Sequence, residues 1–305
     1  YALMIFAAFY FYKKDRVISF IILFFISTIS IVSNIVFPIG TNMSERFLFM
    51  PSLAFSLFIP YAIYKFIPNG KTVLSICSVI LVLFSIKTIS RNQVWKNDFT
   101  LFTTDVKTSP NSAKILNAAG GALSTEASKE KDETKKKKML EESLVYLNKA
   151  VKIHPTYKNP YLLMGNAHFY LGNYEKSIEA YQNCLKLDPN FKDAINNLAV
   201  AYRDAGRKAG EKENNLPKAE SLLQKSLQVN ANDVETLRLM GITYGIAGQH
   251  EKAITYFEKI IKIEPKNAAA YQNLSSAYNY AGDVTNAAKY RQIALQLDPE
   301  IDKKK

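Results

Sequence analysis

Tyr161–Pro189, "YLLMGNAHFYLGNYEKSIEAYQNCLKLDP", decides the fold of the larger part of this 305-residue chain. Apolar residues recur every three to four positions on either side of Gly172, and Pro189 closes the stretch, so two amphipathic helices joined by a tight turn are predicted. The outline returns 34 residues later, which is the period of a helix-turn-helix solenoid. Four columns carry it. A small residue follows the first apolar pair at Gly165, Ala199, Gly241 and Ser275, and a turn glycine stands at Gly172, Gly206, Gly248 and Gly282. A small residue of the second helix stands at Ser177, Ala219, Ala253 and Ala287, and the closing position reads Pro189, Ala231, Pro265 and Pro299. Small residues suit a close helix crossing, glycine supplies the turn, and proline ends the second helix. A degenerate earlier unit starts near Ala113, with Gly120, Ser143, Ala150 and Pro155 in matching columns. Two units carry extra residues between their helices, "SKEKDETKKKK" at 128–138 and "RKAGEKENNLP" at 207–217, predicted to project from one edge as solvated extensions or as an anionic partner's site, the former being favoured.

The recurring columns resemble the tetratricopeptide repeat, which implies an all-α solenoid of about five units over 113–301, stacked into a right-handed superhelix because no unit buries its apolar face alone. In such repeats the first helix of each unit lines an inner groove, here through Asn159, Asn166, Tyr170, Asn196, Arg203, Glu235, Arg238, Gln272 and Asn279. That surface is polar and rich in amides, suited to gripping an extended protein or peptide, while asparagine on such helices equally serves solubility. Asn197 and Asn273 occupy equivalent positions, two rungs of what would be an amide ladder.

Outward from the repeats the composition changes. Up to Val106 there are nine Lys or Arg against four Asp or Glu, with long uncharged stretches, whereas the remainder has thirty against twenty-three, densely mixed. The mean hydropathy of −0.09 averages over both halves. Residues 1–90 are expected to form transmembrane helices of a polytopic membrane domain, and 91–112 a junction helix leading into the repeats. Val17–Phe37 is twenty-one residues without a charge, enough at 1.5 Å per residue to cross a hydrocarbon core of roughly 30 Å. Tyr1–Tyr12 reads as the end of an earlier span and Thr72–Ser90 as another. Leu53–Ile67 is shorter, with Pro51 and Pro60 arguing for a bent or partly unwound entry. Lys13, Lys14 and Arg16 in one short loop and Lys71 in another are expected on the cytoplasmic side, which places the loop 38–52 and the repeats outside it. The chain starts at Tyr1 without an initiator Met or a signal-peptide pattern, so it is read as a cut inside a larger protein.

Enzyme motifs are missing from the repeats. His154, His168 and His250 are scattered, and Cys77 and Cys184 lie in different halves, so neither a metal set nor a disulfide framework is expected. His168 stands in the aromatic column and reads as a packing residue. No glycine loop for phosphate, no nucleophile elbow and no aromatic-basic surface appears, so no cofactor and no nucleic-acid partner is expected; lysines on repeat surfaces explain the pI near 9.4.

Before the third apolar stretch, "SNIVFPIGTNMSERFLFMPSLAF" sets Glu45 and Arg46 at the edge of an eighteen-residue uncharged run. Some forty residues on comes "RNQVWKNDFTLFTTDVKTSPNSAKILNAAG". Together they resemble the membrane-to-repeat transition of the transmembrane and tetratricopeptide-repeat O-mannosyltransferases and their bacterial relatives, membrane glycosyltransferases of the GT-C class. The matching residues are Phe37, Pro38 and Gly40; Glu45, Arg46, Phe47, Pro51 and Ser52; and Arg91, Asn92, Trp95 and, with an offset, Asp98. The resemblance implies transfer of a sugar from a polyprenyl-phosphate donor to a protein hydroxyl on the outer side of a bacterial inner or plasma membrane, or of the endoplasmic reticulum in a eukaryote. The family's acidic catalytic motif belongs to a first outer loop upstream, so no catalytic residue is assigned here. A guanidinium at the membrane surface suits the phosphate of such a donor, with Glu45 orienting Arg46 or fixing the loop. The other reading of the pair is an interfacial anchor meeting lipid. Two further classes stay open for the whole: a non-catalytic anchor whose repeats scaffold an envelope complex, and a polysaccharide polymerase or ligase carrying repeats.

Overall fold

The computed structural model describes residues 1–33, 48–67 and 69–303. It divides into two compact units, Tyr1–Gln93 and Val94–Lys305. Every regular element among the described residues is a helix.

The first unit holds α1 (Ala2–Lys14), α2 (Arg16–Val32), α3 (Phe49–Phe66) and α4 (Gly70–Asn92). Among the described residues two helices, Phe49–Phe66 and Gly70–Lys96, are long and apolar enough to cross a membrane, and Arg16–Ile31 is a shorter apolar helix. α3 runs unbroken through Pro60 rather than unwinding there. The ring removes one backbone donor and frees the carbonyl of Ser56, yet the flanking apolar residues keep the helix going. Pro51 falls in the first turn of α3, where a missing N–H costs least. Asp15 breaks α1 from α2 with extended backbone and accepts from the Ile18 N–H at 3.3 Å as N-cap of α2. The same carboxylate accepts from the Tyr61 hydroxyl at 2.7 Å and from Lys65 Nζ at 2.5 Å. The α1–α2 turn, with Lys13, Lys14 and Arg16, therefore lies at the same end of this unit as the α3–α4 turn with Lys71.

In the second unit, α5 (Asp98–Thr108) leads into five antiparallel pairs: α6 (Ala113–Ala127) with α7 (Glu133–Ile153), α8 (Lys158–Tyr170) with α9 (Tyr174–Leu187), α10 (Lys192–Glu211) with α11 (Leu216–Val229), α12 (Val234–Ile246) with α13 (His250–Ile263), and α14 (Ala268–Tyr280) with α15 (Val284–Leu297). Asn97 starts α5 by accepting from the Thr100 N–H at 2.9 Å. Asp233, Asn267 and Asp283 start α12, α14 and α15 in the same way. The prolines do what their column predicts: His154, Asp188, Glu264 and Asp298, each one residue before a proline, leave the helical region, Asp188 and Asp298 for extended backbone. Asn230 adopts the same conformation before Ala231, so the packing of the next helix suffices where proline is missing. One buried cluster links the third, fourth and fifth units through Leu223, Met240, Phe257, Ile260 and Leu274.

The small columns mark close crossings. A Cβ on Gly165 would stand 2.3 Å from Tyr181, and one on Gly241 would stand 2.5 Å from Phe257. Gly172, Gly248 and Gly282 take positive φ in their turns. Gly206 does not: it lies inside α10, where a Cβ would meet Leu223 Cγ at 2.8 Å. The extra residues of this unit lengthen its first helix, and the turn follows later at Asn214, φ 48°. Those of the earlier unit likewise become helix from Glu133, leaving Ser128–Asp132 as the loop. Both additions border the α8–α9 turn. Lys136 and Lys137 line a cavity with Tyr170, Leu171 and Asn173, while Lys208, Glu213 and Lys218 line another with Asn173, Tyr174 and Glu175.

Candidate functional site

The first helices of successive units adjoin, α8 touching α6 and α10, and α10 touching α12, while residues of α12 and α14 border one cavity. The predicted groove residues fall into three groups. Asn159, Asn196 and Asn279 are exposed. Asn196 and Arg203 line one cavity with Val200, Val229, Asn230 and Asp233. Arg203 is half-buried and shared between Asp204 at 3.6 Å and Asp233 at 3.7 Å.

The second group is already occupied. Asn166 Oδ1 accepts from the Tyr181 hydroxyl at 2.7 Å and from Asn197 Nδ2 at 3.0 Å, which makes this amide a bridge between α8, α9 and α10. The hydroxyl needs that partner because Tyr181 is 2% exposed, and burial pushes its pKa up. Arg238 forms a bidentate pair with Glu235 one turn earlier, at 2.7 and 2.8 Å, and holds that carboxyl below its ordinary range. Gln272 donates to Asp302 at 3.2 Å, so the end of the chain covers it. Tyr170 forms the third group, standing apart at the cavity bordered by Lys136 and Lys137.

Asn273 does not repeat the bond of Asn197. It is half-buried, no hydrogen bond to it occurs among the described residues, and it lines a cavity with Ile242, Gly245, Ile246, His250 and Tyr280. The one sign of this cavity in the sequence is the missing side chain at Gly245. His168 is half-buried with its pKa lowered by burial, which keeps the ring neutral, in keeping with a packing role. Cys77 and Cys184 are both free thiols, and among the described residues no group of three His, Cys, Asp or Glu side chains is placed to hold a metal. Glu45 and Arg46, with Phe37, Pro38, Gly40 and Phe47, lie outside the described residues.

The family model for the tetratricopeptide domain of cytochrome c-type biogenesis protein H matches residues 113–271. Protein O-mannosyl-transferase TMTC3 of Homo sapiens is 25% identical over 280 residues, covering 88% of this chain and 29% of its own length. Its Drosophila melanogaster counterpart is 27% identical over 168 residues, covering 53% of this chain and 17% of its own length. The chain thus spans less than a third of either relative. Among solved structures, YrrB, a tetratricopeptide protein with an unusual peptide-binding site, aligns with a TM-score of 0.46 at 19% identity over 65% of this chain and 93% of that one. The chain belongs to the tetratricopeptide-repeat family of that model, of the kind carried by the transmembrane and tetratricopeptide-repeat O-mannosyltransferase-like proteins.

Proposed function

We propose that this chain serves a membrane glycosyltransferase, its apolar helices seating it in a bilayer and its repeats capturing the protein that receives the sugar. One observation carries the reading: the likeness to an O-mannosyl-transferase covers 88% of the chain, whereas the repeat-bearing unit is only about seven-tenths of it, so the similarity runs from the repeats into the apolar helices. Repeats alone would match many unrelated proteins. The donor is a sugar on a polyprenyl phosphate. Breaking the sugar–phosphate bond leaves charge on the phosphate, which Arg46, oriented by Glu45, neutralises at the membrane surface. The repeats face the outer side of the inner or plasma membrane, or the lumen of the endoplasmic reticulum. An extended acceptor polypeptide lies along the first-helix face, where the exposed side-chain amides of Asn159, Asn196 and Asn279 make no hydrogen bond among the described residues.

The test is transfer of radiolabelled sugar from polyprenyl phosphate to endogenous acceptor protein in membranes carrying the whole protein. Replacing Asn159, Asn196 and Asn279 together with Ala should lower acceptor labelling by roughly tenfold while leaving the helical circular dichroism unchanged, since these side chains pack against nothing in the core. Absence of any transfer by the unaltered protein would turn the reading into a membrane-anchored repeat scaffold.

A further inference from the structure

The polar first-helix face is interrupted between α12 and α14. Between α12, α13 and α14 lies a cavity of ≈290 Å³ walled by Ile242, Gly245, Ile246, Ala253, Phe257 and Tyr280. Gly245 opens it. The positions equivalent to Gly245 in the second and fifth units carry Phe169 and Asn279, and a Cβ on Gly245 would meet nothing within 4 Å. This glycine therefore relieves no crowded crossing, unlike Gly241 one turn earlier. Ile246 and Tyr280 stay 63% and 73% exposed, a solvent-facing apolar pair that the packing of the solenoid does not use. Tyr280 is held flat against His250, with ring centroids 5.8 Å apart. Two polar groups border the same space without partners among the described residues: the half-buried Asn273 amide and the buried Nδ1 of His250.

We propose that this cavity is the specificity pocket of the groove, taking one bulky apolar side chain of an extended polypeptide while Asn273 hydrogen-bonds the adjoining peptide unit. The inference rests on the protein-binding reading of the repeats and adds to it what is recognised. The chemistry selects a peptide among apolar occupants. A primary amide presents one donor edge and one acceptor, the complement of a backbone C=O and N–H, and a purely hydrocarbon ligand would leave it unpaired at a cost. The face on either side, at Arg238 and Asn279, is polar, so an occupant long enough to cross it must carry its apolar surface at one point.

The probes are nine-residue peptide pools of Ser, Ala and Asn with a fixed central residue, binding to the full chain in detergent micelles and read by fluorescence anisotropy. Pools centred on Leu, Phe or Tyr should bind roughly ten- to a hundredfold tighter than the pool centred on Ala, the ratio expected for burying such a side chain. Pools centred on Asp or Lys should gain nothing. Gly245→Leu should erase the preference while the melting temperature holds or rises, because the new side chain enters open space and leucine is the better helix former. Asn273→Ala should weaken every pool alike. A preference that survives Gly245→Leu overturns the proposal, and so does peptide binding without preference, which leaves the groove reading standing. If no pool binds, both fall. Self-association lost in Gly245→Leu, with no peptide preference, would make a second copy of the chain the occupant and likewise overturn it.

Discussion

Gly206 and Gly241 lack a Cβ for the same reason: the partner helix leaves no room for one. At Gly206 the nearest atoms are Leu223 Cγ at 2.8 Å and the Ala219 carbonyl oxygen at 3.3 Å, a branch point and a backbone atom, neither of which swings aside freely. Gly206→Ala is therefore expected to destabilise the third repeat by about 1–3 kcal/mol through overpacking, despite the gain in helix propensity, and chemical unfolding of the chain measures it. The Glu235–Arg238 pair acts through pH instead. Its carboxyl titrates below the ordinary value of 4.5 because Arg238 hydrogen-bonds the charged form. A group lowered in the folded state stabilises fully above its unfolded value, and loses that contribution as pH falls through the folded one. Arg238→Met should thus lower stability more at pH 7 than at pH 3, with a gap below about 1 kcal/mol since both side chains are over a third exposed. Equal loss at both pH values would assign Arg238 to packing.

At the scale of elements, the helix pairs were legible because the units repeat one solution: an apolar stripe, a small residue at the crossing and, in all but the third, a proline after the second helix. What the columns did not disclose was the third unit. There Ala199 was aligned with the crossing and Gly206 with the turn, yet α10 crosses α11 at Gly206 and turns at Asn214. Seven residues separate Ala199 from Gly206, almost two helical turns, so both lie on one face of α10 and the periodicity of the sequence is the same for either register. Only the length of the helix distinguishes them, and length is decided by where the chain finds a left-handed residue. Asparagine tolerates that conformation. Asn214→Gly should leave stability unchanged or slightly raised, and Asn214→Val should cost about 1–2 kcal/mol by thermal unfolding. A silent Asn214→Val would mean the turn does not fix where α10 ends. The state of the candidate groove residues was not legible: Asn166 is already spent on Tyr181 and Asn197, a bond that depends on where a neighbouring helix falls. The Asp15–Tyr61–Lys65 contact escaped for a similar reason, joining residues about fifty positions apart in a stretch without a repeating pattern.

For the molecule as a whole, the proposed function ties a polar face that holds a polypeptide to a membrane-surface residue that meets a phosphate, and the second half of that claim turns on Arg46. An interfacial anchor needs only positive charge, and lysine snorkels to the boundary at least as well as arginine. A phosphate clamp needs the planar guanidinium, whose paired N–H groups match two phosphate oxygens where an ammonium offers a point charge. Arg46→Lys in the whole protein should therefore lower sugar transfer by roughly ten- to a hundredfold, about 1.4–2.7 kcal/mol of transition-state stabilisation, and Arg46→Ala should lower it further. Capture of acceptor protein by the repeats should be unchanged in both variants, because the groove residues belong to the other compact unit. The two readouts separate the causes: loss of transfer with capture intact places the defect at the donor phosphate, whereas loss of both together would point to a misfolded or mislocalised protein. Full transfer by Arg46→Lys would establish the anchor and remove Arg46 from the donor site.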